Sequence, residues 1–519
     1  MTFRSGSRLS ALGESGSRTS LRSDARPSQA SALAGRALAW CDANGWTIAL
    51  WGAMTAWASA LLALVYEEYR SFQLGRFDLG NMVQAVWNTT QGRPLEMTTA
   101  AGDQIVRLGI HVDPILLLLT PFWMVVSSPL TLAAVQIAAV SFGALPVFWL
   151  ARKHLGSEKA AALLAFAYLA SPWVAWTAFD AMHPKTFAIP LFLFAVWFLD
   201  EDRVGAFAVA AVLAAACGEL MGITIGALGV WYALARGRRL VGVVIAGAGA
   251  AWTSIALLVV VPAFSGDESV YYDNYASVGG SPAGILRTAF TDPLTILGAL
   301  IGVHEVLYVL LLAVPLAGAF VLAPWLAAVA LPQLLVNALA DVTGPTDPRH
   351  HYIAGVLPFL VAAAAIGLGR VRPARRPQAA GIVLASTVIV SVLLGPWPGI
   401  DRAPLRYELT APTGHADALR RATALVPPGV PVAASNKAAS HLAARRHLFA
   451  LPVLEGPDAR AEWIVLDTYD RWVAYQELPF LVERPSSEIQ ALRDRLRQDS
   501  SWRAVFEEAG VYVFRTARR

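Results

Sequence analysis

The residues best suited to chemistry are gathered in a few short polar stretches of an otherwise apolar chain. One is RFDLGNMVQAVWNTTQGRPLE, Arg76 to Glu96, with Asp78 near its start; Arg107, His111 and Asp113 follow in RLGIHVDP. Others are DAMHPK with Asp180, His183 and Lys185, CGELMG with Glu219, the pair His304-Glu305, and DPRHHY with Asp347, Arg349, His350 and His351. A carboxylate such as Asp78 can take a proton from an attacking hydroxyl, and Arg, Lys and His can hold an anion as it departs. Imidazoles and carboxylates together also suit a divalent metal, although no spacing here is a metal signature and no other cofactor is expected. Five of the nine histidines lie in these stretches at expected helix ends, which predicts that several meet in one cavity.

The elements that must position them are membrane helices. Of 519 residues, 56% are hydrophobic and 15% charged, too apolar a balance for an ordinary soluble protein and right for a polytopic membrane protein. Crossing a bilayer takes about 20 mostly apolar residues in a helix, because lipid tolerates no unpaired backbone. Apolar runs place eleven spans near 46–65, 129–151, 159–178, 186–199, 204–217, 220–235, 240–262, 305–322, 324–339, 352–369 and 379–396. With the Arg-rich residues 1–45 as a disordered cytoplasmic tail, the loops expected inside carry Arg152 and Lys153, then Arg203, then Arg236, Arg238 and Arg239, then Arg370, Arg372, Arg375 and Arg376. That distribution obeys the preference of Lys and Arg for the cytoplasmic side.

The same count sends the polar stretches outside, together with a first outer loop over 66–128 and everything after 397. In the loop, DLGNMVQAVWNTTQG reads as an interfacial helix with Leu79, Met82, Val83 and Val86 on one face and Asp78 as N-cap or first-turn residue. VDPILLLLTPFWMVV, 112–126, is too short for a span and reads as a helix along the outer surface. Glu219, between two apolar runs, is a carboxylate at a membrane boundary, where burial is costly and function is the default hypothesis. Residues 397–519 alternate strands (430–435, 462–467, 510–516) with helices (413–426, 437–446, 487–498), a small extracytoplasmic α/β domain following the transmembrane domain of 46–396. The two cysteines, Cys41 and Cys217, fall on opposite sides of the membrane and form no disulfide framework.

FDLG..VQAVW....G (Phe77 to Gly92), HVDPILLLLTP, HPKTFAIPLFLFA (His183 to Ala195) and HYIAGVLPFL (His351 to Leu360) together resemble an uncharacterised family of predicted multi-pass membrane proteins, a domain of unknown function related to the GT-C membrane glycosyltransferases. The resemblance covers roughly 46–470. It implies a GT-C-like fold, interfacial helices in the first outer loop, a catalytic acid shortly after the first span, and a sugar donor carried on polyprenyl phosphate. Asp78 occupies the place of that acid. Gly218-Glu219-Leu220 stands where the family has a Lys-Glu-Asp run, so only the glutamate carries over.

Polyprenyl phosphate is already a fair leaving group, so an inverting transfer needs one base, Asp78, and cations or donors for the phosphate. Arg107, His183, Lys185, Arg349 and His351 are candidates for the phosphate, and His111, Asp113, Glu219, His304, Glu305 and His350 complete the expected donor site. The expected partners are the lipid bilayer, the lipid-linked donor and a glycan, lipid or protein acceptor of the cell envelope; no nucleic acid is expected. Two other readings are a transporter or flippase and a catalytically silent envelope-assembly protein. A transporter favours charges at mid-span and repeated halves, and neither is evident in the sequence.

Overall fold

The structure, a computed structural model, describes residues 44–180, 182–397, 414–452, 460–474 and 481–517. The basic tail up to 43, Cys41 and the junction at 398–413 lie outside the described residues. Residues up to Ile48 form a unit of their own, of which only the opening of the first helix is described; the second unit is Ala49–Arg519.

Four helices are long and apolar enough to cross a membrane: Gly45–Arg70, Pro129–Leu155, Arg239–Ser265 and Pro373–Leu394. Two bent pairs raise the number to six, Glu158–Ala170 with Pro172–Phe179 at 47° and Pro293–Leu300 with Val303–Ala313 at 50°. In the first pair Pro172 opens the second helix and cannot continue the hydrogen-bond ladder of the first. Each of the eleven runs expected from sequence overlaps an observed helix. Several are short, such as Val204–Ala215, Met221–Ala235 and Leu357–Gly367. A 12-residue helix rises about 18 Å, well under a hydrocarbon core of about 30 Å; apolarity found most of the helices but left Pro293–Leu300, half of the second bent pair, in an expected outer loop, and length separates the long spans from the rest.

Helices Met221–Ala235 and Arg239–Ile255 pack with their backbones in contact. A Cβ on Gly222 would lie 2.4 Å from the Gly249 carbonyl, and one on Gly242 would lie 2.5 Å from the Gly229 carbonyl. This is the small-residue contact that membrane helices use where no hydrophobic force draws them together. The stretch 112–126 folds as a 3-10 turn, Pro114–Leu119, and a helix, Thr120–Val125, that leaves Met124 70% and Val125 84% exposed. That outward apolar face suits the expected surface helix.

The first loop also holds a two-stranded ribbon, β1 (Glu96–Thr98) with antiparallel β2 (Gln104–Val106). After 414 the chain forms an α/β lobe with β3 (Val432–Ala434), β4 (Leu448–Ala450), β5 (Trp463–Asp467), a separate ribbon β6 (Trp472–Ala474) with β7 (Leu481–Glu483), and β8 (Trp502–Glu508) and β9 (Val511–Thr516). The five-stranded sheet runs β4-β3-β5-β9-β8, with β3 parallel to both its neighbours and β9 antiparallel to both of its own. Ile489, Leu492 and Leu496 of helix Ser486–Gln498 close one face over Ile464, Leu466 and Phe514. β3, β5, β9 and helices His415–Ala424, Asn436–His441 and Ser486–Gln498 fall within a few residues of their expected places.

Candidate active site

Asp78 sits in a π-turn, Arg76–Gly80, that runs directly into helix Asn81–Thr90. The sequence left N-cap and first turn open for this residue. The helix already begins at Arg76, so Asp78 lies within its first turn and makes no capping bond. Leu79, Met82, Val83 and Val86 are buried as their spacing requires, and this turns Asp78 to the other face, 36% exposed. There its Oδ1 accepts a hydrogen bond from His183 Nε2 across 2.9 Å.

His183 precedes the 3-10 turn Pro184–Phe187 and stacks on His351, which opens the turn His351–Gly355, with ring centroids 3.7 Å apart. Asp180 closes the group: its Oδ2 lies 3.7 Å from His350 Nδ1 and 3.9 Å from His351 Nδ1. Burial opposes the charge on Asp180, but His350 and His351 outweigh it and hold the carboxyl far below its ordinary range. Burial, then the neighbouring His183, keeps His351 well below the usual imidazole value. His350 is displaced upward, because Asp180 overcomes its burial. One ligand atom from each of Asp180, His183 and His351 fits within 4.8 Å of the other two, so among the described residues these three could share a metal ion.

A second group stands beside the first. Glu219 is buried in the turn before helix Met221–Ala235. It accepts from Val112 N at 3.2 Å, lies 3.3 Å from His111 Nδ1 and 3.6 Å from Lys185 Nζ. Burial alone would raise this carboxyl; Lys185 and His111 hold it well below its ordinary value. His111 is displaced downward by burial and by Lys185. Lys185 also lies over the Tyr352 ring, 5.7 Å from its centroid, and a Cβ on Gly218 would touch Lys185 Cε at 3.2 Å. Lys185, from another loop, thus passes over the bare Gly218.

Arg107 and Asp113 form a buried bidentate pair, with Nε donating to Oδ1 at 3.1 Å and Nη2 to Oδ2 at 2.7 Å. Arg349 pairs with Asp347 through Nε at 3.0 Å. The structure therefore brings together Asp78, His111, His183, Lys185, Glu219, His350 and His351, and sets Arg107-Asp113 and Arg349 at the margins. It does not bring in His304, which is exposed, or Glu305: their helix starts at Val303, and neither bonds to the group. Three tyrosines escaped the sequence reading. Tyr271 stacks on His111 with centroids 4.7 Å apart, Tyr275 is pushed up to about 12 by burial, and Tyr352 joins the Lys185 and His351 surroundings. Arg76, Phe77, Met97, Arg107, His111, His183 and Tyr271 line a cleft between the two groups and the first loop.

The first loop is fastened by the C-terminal lobe. Asn436 Oδ1 accepts from Arg76 N at 2.8 Å and Phe77 N at 3.3 Å, and Ser440 Oγ donates to Leu74 O at 2.7 Å. His441 is stacked between Tyr69 and Phe72, with centroids 4.0 and 3.8 Å away. Gln84 donates to the Arg445 and Arg446 carbonyls at 3.2 and 2.7 Å.

Apolar helices around a polar cluster, a first loop with short helices of its own and a small C-terminal sheet define a helical membrane protein of the GT-C fold. The chain is similar to the crystal structure of ArnT from Cupriavidus metallidurans bound to undecaprenyl phosphate, at 13% identity and a TM-score of 0.51 over 91% of this chain and 98% of that one. It is also similar to ArnT from the same organism in the apo state, at 14% identity and a TM-score of 0.47 over 89% and 98%. The cryo-EM structure of the arabinofuranosyltransferase AftD from Mycobacteria follows at 12% identity and a TM-score of 0.45, over 89% of this chain and 40% of that one. No curated protein matches the sequence. The chain belongs to the family described as predicted membrane protein (DUF2079), whose profile matches residues 68–513.

Proposed function

We propose that the protein is a GT-C-type membrane glycosyltransferase that moves a sugar from a polyprenyl-phosphate donor to a cell-envelope acceptor, with Asp78 as general base. The observation that carries this reading is the placement of Asp78: a partly exposed carboxylate on a first-loop turn, held by His183 next to a lysine, the buried His351 and two half-buried imidazoles. The ArnT structure of similar fold has undecaprenyl phosphate bound, which supports a donor of that class for this chain.

In the proposed step an acceptor hydroxyl attacks the anomeric carbon and passes its proton to Asp78. The bond from that carbon to the phosphate oxygen breaks with inversion, and polyprenyl phosphate leaves. His183 keeps the Asp78 carboxylate pointed at the acceptor. Lys185 holds the departing phosphate, assisted by the donor groups of His351, Tyr352 and Tyr271. Arg107 and Arg349 act at a distance, since Asp113 and Asp347 already occupy their forks. The N-terminus is cytoplasmic, and the site and the lobe after 414 face outward, where the outer helix ends meet the bilayer and an apolar donor chain can lie against the face at Met124 and Val125.

The test is release of polyprenyl phosphate by purified protein given donor and acceptor. Asp78→Asn should leave the protein folded and lower the transfer rate by about 100-fold or more. Full activity in that variant would remove Asp78 from the role, and a wild-type protein that moves the lipid-linked sugar across vesicles without releasing polyprenyl phosphate would favour a flippase.

A further inference from the structure

We propose that Asp180, His183 and His351 form a binding site for a divalent metal ion of the zinc class. The three side chains come from two separate loops and bring one ligand atom each within 4.8 Å of the others. Their chemistry is two imidazole nitrogens and one carboxylate oxygen, the set that suits Zn2+ and its neighbours better than Mg2+ or Ca2+, which prefer oxygen alone. Three protein ligands leave a fourth position for water or an anionic oxygen.

A second observation points to a ligand at this place. Among the buried polar atoms, Asp180 Oδ2 and His351 Nδ1 have no hydrogen-bond partner, and they face each other at 3.9 Å. His351 is only 9% exposed, so water from bulk does not serve it. A buried donor or acceptor left alone costs about 1–3 kcal/mol, and here two such atoms converge with a third ligand. His183 already has a carboxylate partner in Asp78, the kind of bond by which metal-bound imidazoles are oriented. A tetrahedral zinc shell has neighbouring ligand atoms about 3.4 Å apart, from metal–ligand bonds of roughly 2.1 Å. Drawing the observed set inward to that spacing needs shifts of about 1 Å, and the His183 and His351 rings, stacked within 19° of parallel, must tilt apart so that their in-plane lone pairs meet at the ion.

The metal site shares His183 and His351 with the transfer reading, but its test uses no sugar donor, so either can fail without the other. The full-length protein in detergent is stripped with chelator and titrated calorimetrically with ZnCl2, and separately with CoCl2 while the visible spectrum is recorded. We expect one Zn2+ per chain with micromolar or tighter affinity, and cobalt d–d bands characteristic of a mixed nitrogen and oxygen shell. Asp180→Asn and His351→Gln should each weaken Zn2+ binding at least tenfold while the chain stays monodisperse, and His304→Ala, away from the cluster, should leave binding as it is. The cobalt spectrum is taken on the wild-type chain, so the proposal is tested even if a variant misfolds. No stoichiometric binding, a cobalt spectrum of the free aqua ion, or binding indifferent to Asp180→Asn and His351→Gln would overturn it.

Discussion

The pair Lys185–Glu219 allows a quantitative test of how the site is built. The two charges are 3.6 Å apart, with side chains 12% and 9% exposed. At an effective dielectric of about 20 their attraction is roughly 4–5 kcal/mol. Lys185→Met leaves the Glu219 carboxylate with Val112 N and His111 but without its nearest cation. Stranding a buried charge of this kind costs about 3–5 kcal/mol. Glu219→Gln strands Lys185 less severely, because its long stem can turn toward the cleft, so about 1–3 kcal/mol is expected. The double variant removes both charges and should recover most of the Lys185→Met loss, giving a coupling of about 2–4 kcal/mol. The assay is reversible chemical unfolding of the four proteins in matched detergent, followed by tryptophan emission. Additive losses, with coupling under about 0.5 kcal/mol, would refute the argument, since they would mean that the two groups do not share the interior as an ion pair. The same series measured for transfer separates roles: Lys185→Met should raise the KM for the lipid-linked donor even in the double variant, where stability is regained.

Two further predictions concern the C-terminal lobe. Asp470 is buried, and burial raises its carboxyl from 3.8 to about 6, against the opposing bonds from Lys437 N and Trp472 N. The folded protein therefore holds this proton longer than the unfolded chain: its contribution to stability is complete below about pH 4 and lost as pH rises through about 6, up to about 3 kcal/mol in all. Thermal midpoints between pH 4 and 7 should show this decline in wild type and a flatter course in Asp470→Asn; equal slopes would contradict it. Asn436→Ala frees Arg76 N and Phe77 N, which should cost about 1–2 kcal/mol and reduce kcat more than KM, with Asn436→Asp restoring most of the rate because it keeps the accepting oxygen. A loss confined to KM, or no rescue by Asp, would show that Asn436 does not position Asp78.

Much of this architecture can be read from local pattern. Long apolar runs found the helices, period-two alternation found β3, β5 and β9, and helical spacing predicted the buried face that turns Asp78 outward. Polar residues at helix ends pointed to His183, His351, Lys185 and Glu219 because hydrophobic neighbours leave a charge there little reason to exist except a partner or a role. What escaped has a common physical cause, which is dependence on distant sequence. Tyr271, Tyr275 and Tyr352 look like ordinary interfacial aromatics until His111 and Lys185 arrive from other loops. His304 carried the same local signal as His183, and only the path of its helix separates them. The three-residue strands β1, β2 and β4 escaped as well; β3 is equally short and registered only through the longer apolar run VPVAAS around it.

The hydrogen bonds from Asn436 to Arg76 and Phe77 join residues 360 and 359 positions apart. During synthesis the loop bearing Asp78 leaves the ribosome early and must wait for 360 further residues before its fastening partner exists. A nascent or prematurely ended chain would carry Asp78 without the contacts that fix its turn. The geometry of the Asp78 turn is thus completed only once residue 436 has been made, late in the chain and far from the loop it fastens.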